Sequence, residues 1–250
     1  MTSTQAFFLG IVQGLTEFLP VSSSGHLVLF QSFLGITTPP FFFDVLVHSG
    51  TLLAVVIYFR HQLIGFTRTH LSQLIIATIP AVLVGLFVYT TSLEIFTNLY
   101  LTSLSFLLTS VLLFLTTKVK TTTSISSTKI TSTRALLIGI FQAIAILPGV
   151  SRSGSTISAG IFTGLSKNTA FTFSFILSIP AILGALTLNL TNMSNLDVTL
   201  TLPSLIGFSA ALISGLVSLC LLNYVLKRKN LLPFAVYTYL LGSFLLGLSL

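Results

Sequence analysis

Six stretches of the chain stay apolar long enough to cross a bilayer: residues near 40–60, 71–89, 98–116, 168–190, 203–226 and 230–250. As helices, each covers a hydrocarbon core of about 30 Å. Two other apolar segments, 1–35 and 135–166, are interrupted in the same way. Residues 10–27 read GIVQGLTEFLPVSSSGHL and residues 139–156 read GIFQAIAILPGVSRSGST. At a fixed offset of 129, Gly10 matches Gly139, Gln13 matches Gln142, and Val21, Ser22, Ser24 and Gly25 match Val150, Ser151, Ser153 and Gly154. The Leu-Pro pair is displaced by one, Leu19-Pro20 against Leu147-Pro148. Each copy predicts an apolar half-helix, a Leu-Pro break, a Ser/Gly loop and a second apolar segment. Broken helices at matching positions of two halves point to a binding site near the membrane midplane.

The basic residues set the topology. Arg60 and Arg68 lie between the first two spans; Lys118, Lys120, Lys129 and Arg134 lie in the Ser/Thr-rich stretch 117–134; Lys167 precedes the fourth span; Lys227, Arg228 and Lys229 follow the fifth. Crossing the spans in order puts these ten of the eleven Lys and Arg residues on one face, while loops 90–97 and 191–202 hold only the acids Glu94 and Asp197. By the positive-inside rule, the basic face is the cytoplasm. Residues 1–35 must then start and end outside, and 135–166 inside, so each is drawn as a re-entrant hairpin. Each half is a hairpin plus three spans, and an odd number of spans inverts the second half. The expected fold is all-α and polytopic: six transmembrane helices plus two re-entrant helical hairpins in an inverted-topology repeat. Its units are a first repeat 1–116, a basic cytoplasmic linker 117–134 and a second repeat 135–250, with both termini outside. Thr78-Ile79-Pro80-Ala81 and Ser178-Ile179-Pro180-Ala181 fall outside this register and predict proline kinks in two spans.

Composition agrees. Apolar residues make up 53% and charged residues 6%, against about a quarter charged in soluble domains. The net charge of +7 reads as the cytoplasmic face of a membrane protein surrounded by bilayer lipids, not as a nucleic-acid surface. The N-terminus has no basic region of the signal-peptide kind, so no cleaved leader is expected. The single cysteine, Cys220, excludes an intrachain disulfide.

The chemistry is concentrated at the breaks. Ser22-Ser23-Ser24-Gly25-His26 and Ser151-Arg152-Ser153-Gly154-Ser155-Thr156 each begin a helix. Serines cap and donate, glycine allows close approach, and a helix N-terminus offers free N–H groups and the positive end of a dipole. Two such termini facing one another around Arg152 form an anion site, and Arg suits bidentate phosphate binding. Small residues also let membrane helices pack closely, but that does not explain a charge at mid-membrane. Glu17 sits one turn from Gln13 on the same face; it serves chemistry or pairs structurally with Arg152. Asp44 and His48, spaced i, i+4, either line a route from the outer face or tie the first span to the hairpin. His61 and His70 are expected to be solvated. Phe41-Phe42-Phe43 either face lipid at the interface or line the way in for a lipid chain. Gly160 and Gly164 form a small-xxx-small pair, for internal packing or for a homodimer.

With these residues assembled, the chain resembles the undecaprenyl-diphosphatase, or bacitracin-resistance protein, family over nearly its whole length. QGLTEFLPVSSSGHL is similar to that family's first signature and PGVSRSGST to its second; Phe43-Asp44-Val45 and His48-Ser49-Gly50-Thr51-Leu52 resemble a further segment. The resemblance implies hydrolysis of a polyprenyl diphosphate lipid, undecaprenyl diphosphate, to the monophosphate. That reaction recycles the lipid carrier of cell-wall synthesis in the bacterial inner membrane. It also implies dependence on a divalent cation, Mg²⁺ or Ca²⁺, and a site open to the outer, periplasmic face. By position, Glu17, Ser23, His26 and Arg152 match the family's important residues, and Ser22, Ser151, Ser153 and Thr156 its hydroxyl positions. Many members carry Glu where this chain has Gln13; Gln is no general base and a weaker ligand, so the load falls on Glu17.

Three routes stay open from these residues. Ser23 is the candidate nucleophile, with His26 as base or leaving-group acid. Alternatively His26 attacks, or water does. Glu17 either orients His26 or holds the cation. The other class of function is a transporter or flippase of a lipid phosphate or small anion, which needs Arg152 and the helix dipoles but no base or nucleophile.

Overall fold

The computed structural model describes residues 1–36, 41–91, 98–119, 128–191, 200–228 and 230–249. The expected outer-loop acids Glu94 and Asp197, and the basic residues Lys120 and Lys229, lie outside the described residues. Within them the chain is helical: α1 (Ser3–Phe18), α2 (Ser23–Phe33), α3 (Phe41–Phe59), α4 (Leu63–Thr91), α5 (Leu99–Lys118), α6 (Ser132–Ile144), α7 (Arg152–Phe162), α8 (Lys167–Thr191), α9 (Leu202–Arg228) and α10 (Leu232–Ser249). Six of these, α3, α4, α5, α8, α9 and α10, are long and apolar enough to cross a membrane. They coincide with the six expected spans, as in a multi-pass membrane protein. Their outer faces remain apolar and exposed, as at Leu83, Phe87, Ile213, Leu240 and Phe244; a lipid solvent makes this the favourable arrangement.

Short helices stop where the sequence breaks them. Thr2 caps α1 in a reciprocal box with Gln5, and α1 ends at the Leu19-Pro20 break. Proline has no N–H to continue a helical ladder. Thr131 caps α6, which stops before Leu147-Pro148. α2 and α7 then begin at Ser23 and Arg152, positions matched at the offset of 129.

Packing partners exchange between the halves. α1 packs on α9 while α6 packs on α4; α3 packs on α9 while α8 packs on α4; α3 meets α8, and α5 meets α10. The closest approaches also correspond. A Cβ on Gly10 would lie 2.3 Å from the Gly207 carbonyl oxygen, and one on Gly139 would lie 2.5 Å from that of Ala77. A cluster of Phe18, Phe59, Phe171 and Phe175 fills the core beside the first hairpin, with Phe18 edge-on to Phe175 at 5.5 Å.

Several expectations change. α4 begins at Leu63, not near 71, because its added turns carry Phe66, which packs toward Phe173. The residue of α4 whose backbone leaves helical values is His70 (φ −122°, ψ 22°), not Pro80, which sits within the helix as Pro180 does in α8. His70 is half-buried with its ring 4.6 Å from that of Phe66, so it is not simply solvated; His61 is exposed and accepts a hydrogen bond from Arg60 Nε. Phe43 neither faces lipid nor lines a mouth: it is buried, with its ring against Gly207. The side chain of Phe41 is outside what is described. Gly160 packs inside the protein against Ala170, and Gly164 ends α7 at φ +85°, so this pair serves internal structure.

Candidate active site

The two breaks meet. The loop after α1 and the start of α2 face the loop after α6 and the start of α7. Between them lies a cavity of about 180 Å³ lined by Thr16, Glu17, Ser22, Ser23, Ser24, Ala145, Ile146, Val150, Ser151 and Arg152. That is about six times a water molecule's share of liquid volume. Pro20 lies against Gly154, where a Cβ would sit 3.2 Å from the proline ring, so the tips pack directly on one another.

Glu17 is the hub. Its Oε1 accepts from Arg152 Nη2 at 2.7 Å, and its Oε2 accepts from Ser23 Oγ at 2.6 Å and from Gln13 Nε2 at 3.2 Å. The two sides of the ion pair retain only 15% (Arg152) and 8% (Glu17) side-chain exposure. Both roles considered for Glu17 are thus compatible in one geometry: it pairs with Arg152 and also holds the Ser23 hydroxyl. The cluster is incomplete in itself. Arg152 Nη1 and Gln13 Oε1 are buried with no hydrogen-bond partner. Such orphans cost about 1–3 kcal/mol each and call for an explanation. A bound anion would answer the first.

No hydrogen bond joins His26 to Ser23. Its Nδ1 donates to the Ser22 carbonyl oxygen at 2.7 Å and its Nε2 meets the Tyr237 hydroxyl at 2.6 Å. The expectation that Glu17 orients His26, or that His26 takes the Ser23 proton, does not fit these partners; the basic group in contact with Ser23 is Glu17. The tips also differ in their caps. Ser151 Oγ accepts from Gly154 N at 3.1 Å and so caps α7. Ser22 makes no such cap on α2, and its backbone stands at φ +70°.

Most of the other expected ligands make structural contacts. Gly25 admits the ring of Phe106, not a ligand: a Cβ there would meet that ring at 2.6 Å. Ser153 shares a hydrogen bond with Ser151 and reaches the Leu19 carbonyl across the tips at 3.4 Å. Thr156 ties α7 to α8 through Ser174. Ser24 is exposed and lines the cavity. Asp44 accepts from Gln31 Nε2 at 3.0 Å, and His48 Nδ1 donates to the Asp44 carbonyl oxygen at 2.7 Å. Asp44 therefore ties the first span to the hairpin, as one of its two readings had it, but through Gln31 and not through the His48 side chain.

Three supporting residues escaped the sequence reading. Gln31 is a lone amide in an apolar half-helix, which was the available signal. Thr109 holds the second tip from below, donating to Gly149 O and accepting from Ser151 N, both at 3.0 Å. Tyr237 has no local signal at all within an apolar span. Among the described residues no three His, Cys, Asp or Glu side chains gather as a metal cluster. At the tips the acid is Glu17, whose carboxylate already accepts from Arg152, Ser23 and Gln13.

Known proteins resemble this chain along its length. The chain is 41% identical over its full length to the undecaprenyl-diphosphatase of Syntrophotalea carbinolica, which it also covers completely. It is 39% identical to that of Carboxydothermus hydrogenoformans, spanning all of this chain and 98% of the relative. It is 38% identical to that of the archaeon Methanobrevibacter smithii, spanning 97% and 96%. Both tips, the Asp44 tie and Tyr237 all lie within residues 6–244, which match the family model described as bacitracin resistance protein BacA, and the chain belongs to that family.

Proposed function

We propose that this protein hydrolyses undecaprenyl diphosphate to undecaprenyl phosphate and inorganic phosphate at the junction of the two tips. It would thereby return the lipid carrier to cell-wall synthesis and confer bacitracin resistance. One observation carries this beyond family membership: a serine hydroxyl 2.6 Å from a buried carboxylate that also holds an arginine with a spare, partnerless donor. An anion carrier has use for the arginine alone.

The residues divide the work. Arg152 and the uncapped N-terminus of α2 receive the diphosphate and stabilise charge on the transferring phosphoryl group. Ser23 Oγ attacks the terminal phosphorus and its proton passes to Glu17 Oε2. The Oγ–P bond forms as the bond to the bridging oxygen breaks, and undecaprenyl phosphate leaves with the electron pair. Water then cleaves the Oγ–P bond and the proton on Glu17 returns to Ser23. The Glu17 carboxylate, the acid lining the cavity, would hold a divalent cation if the reaction takes one. Such an ion would neutralise phosphate charge.

The setting belongs to the same proposal. The exchange of packing partners between α1–α5 and α6–α10 supports an inverted-topology repeat with its two hairpins re-entrant from opposite faces. Its units are 1–116 and 135–250, joined by the linker 117–134. The protein sits in the bacterial inner membrane with its basic loops in the cytoplasm and its site open to the periplasmic face.

A second reading, translocation of a lipid phosphate, has one observation in its favour. α3 and α9 close tightly where a Cβ on Gly50 would meet the Phe208 carbonyl at 2.6 Å. The offset carries these positions to Ile179 and Ile79, and there α8 and α4 leave an apolar crevice of about 790 Å³. The deciding experiment is phosphate release from undecaprenyl diphosphate by the purified protein, with Mg²⁺ or Ca²⁺ and with a chelator, alongside Arg152→Ala. Cation-dependent release that the variant lacks is expected. Lipid binding without release would reject the phosphatase, and a vesicle translocation assay would then test the carrier.

A further inference from the structure

We propose that Tyr237, contributed by α10 from the far end of the chain, is a positioning residue for Ser23 that acts through His26. The inference rests on the phosphatase reading for its kinetic consequence but not for its geometry.

The hydrogen bonds around His26 have one consistent direction. The Ser22 carbonyl can only accept, so at 2.7 Å the proton of the ring is on Nδ1. Nε2 of the neutral ring is then an acceptor, and its partner at 2.6 Å is the Tyr237 hydroxyl, which donates. The two rings lie nearly parallel, 16° apart with centroids at 5.7 Å, and Phe106 stands edge-on to His26 at 5.6 Å. His26 is therefore fixed in tautomer, rotamer and plane.

What it fixes is the peptide leading into the nucleophile. Among the described residues Ser22 is the one non-glycine with positive φ, and it makes no cap on α2. A backbone held there persists only when its surroundings over-determine it. The Nδ1–H bond to the Ser22 carbonyl is such a restraint, and that carbonyl belongs to the peptide joining Ser22 to Ser23. The next atoms along are Ser23 Oγ and its 2.6 Å bond to Glu17. Without the Tyr237 hydroxyl, Nε2 loses its donor and the ring is free to carry its proton there, leaving the Ser22 carbonyl only the 3.4 Å bond from the His26 backbone N–H. Ser23 then leaves its place on Glu17, and small misplacement of a reacting atom costs rate steeply.

The test compares Tyr237→Phe, which keeps the ring stack, with Tyr237→Leu, which removes it, in the full-length protein. Steady-state kinetics on undecaprenyl diphosphate is paired with ¹⁵N NMR of histidine-labelled protein, the His26 signal being assigned by its loss in His26→Asn. Both variants should lose about tenfold to a hundredfold in kcat with KM changed less than about twofold. In Tyr237→Phe the His26 signal should move from the Nδ1–H tautomer toward a mixture. A Phe variant with normal kcat, a fall in kcat with the tautomer unmoved, or a change confined to KM would each overturn the proposal. If the unsubstituted protein releases no phosphate, the phosphatase reading fails, while the tautomer shift still decides the hydrogen-bond chain.

Discussion

The two tips are built on one frame and held differently. α2 and α7 occupy corresponding residues, 23–33 and 152–162, and both follow a Leu-Pro break. At the second tip Ser151 sits at φ −73° and caps its helix. At the first, Ser22 stands at φ +70°, caps nothing, and depends on a histidine for its carbonyl's partner. The reactive groups follow the same division. Glu17 and His26 of the first tip correspond at the offset to Ile146 and Ser155, while Arg152 corresponds to Ser23. The strained tip carries the proposed nucleophile and base; the relaxed tip carries the arginine proposed to bind the anion. Binding a phosphate calls for a fixed set of donors, and at the first tip the positive φ of Ser22 sets the direction from which the next residue, Ser23, meets Glu17.

The strongest way to break this division is at the matched pair Ser23 and Arg152. Ser23→Ala should lower kcat by at least about 10³-fold with KM little changed, since it removes the nucleophile and leaves the arginine. Comparable turnover by this variant would mean that water or His26 attacks directly. Arg152→Lys should cost less, about ten- to a hundredfold in kcat/KM, because charge remains while the fork of donors is lost. A loss confined to kcat, with KM unmoved, would mean that Arg152 acts on the transition state alone and does not receive the diphosphate, which would weaken the contrast between the tips.

The frame was largely legible in the sequence, and the connections within the site were not. Length and apolarity located all six spans because membrane helices must be both. The duplicated break located both tips, because proline and glycine act on the backbone locally. Residue types singled out Glu17, Ser23 and Arg152, and in the fold Glu17 bonds each of the other two, at 2.6 Å and 2.7 Å. His26 was misjudged because one helical face was taken to mean one hydrogen bond: Ser23 turns to Glu17, while the His26 ring bonds the Ser22 carbonyl and Tyr237. Gln31 and Tyr237 escaped because their roles depend on which distant helix lies opposite. Phe43 was misplaced for the same reason, its partner being a glycine on α9.

Symmetry of the scaffold is testable where the glycines allow contact. Gly10→Ala and Gly139→Ala each push a methyl into a backbone carbonyl, at 2.3 Å and 2.5 Å. Each should destabilise the protein by about 1–3 kcal/mol, seen as a lower unfolding midpoint in detergent. Matching losses would support one repeated frame. A large loss at only one site would show that the helix pairs α1–α9 and α6–α4 are not equivalent.

The smallest effect bears most directly on strain. Ser151→Ala removes a cap and should cost about 1 kcal/mol of stability. Ser22→Ala removes none, its hydroxyl having only Ser24 Oγ at 3.5 Å, and should leave the midpoint nearly unchanged. Ser22→Gly goes further: glycine occupies φ +70° without the side-chain penalty, so the variant should gain up to about 1 kcal/mol if the strain is real. The same variant should turn over more slowly, because a relaxed peptide no longer pins Ser23 against Glu17. Thermal unfolding and kcat measured on one preparation decide it. Higher stability with lower kcat would mean that the first tip holds its nucleophile at the expense of stability; lower stability would mean that the Ser22 conformation is comfortable and the difference between the tips lies in their side chains alone.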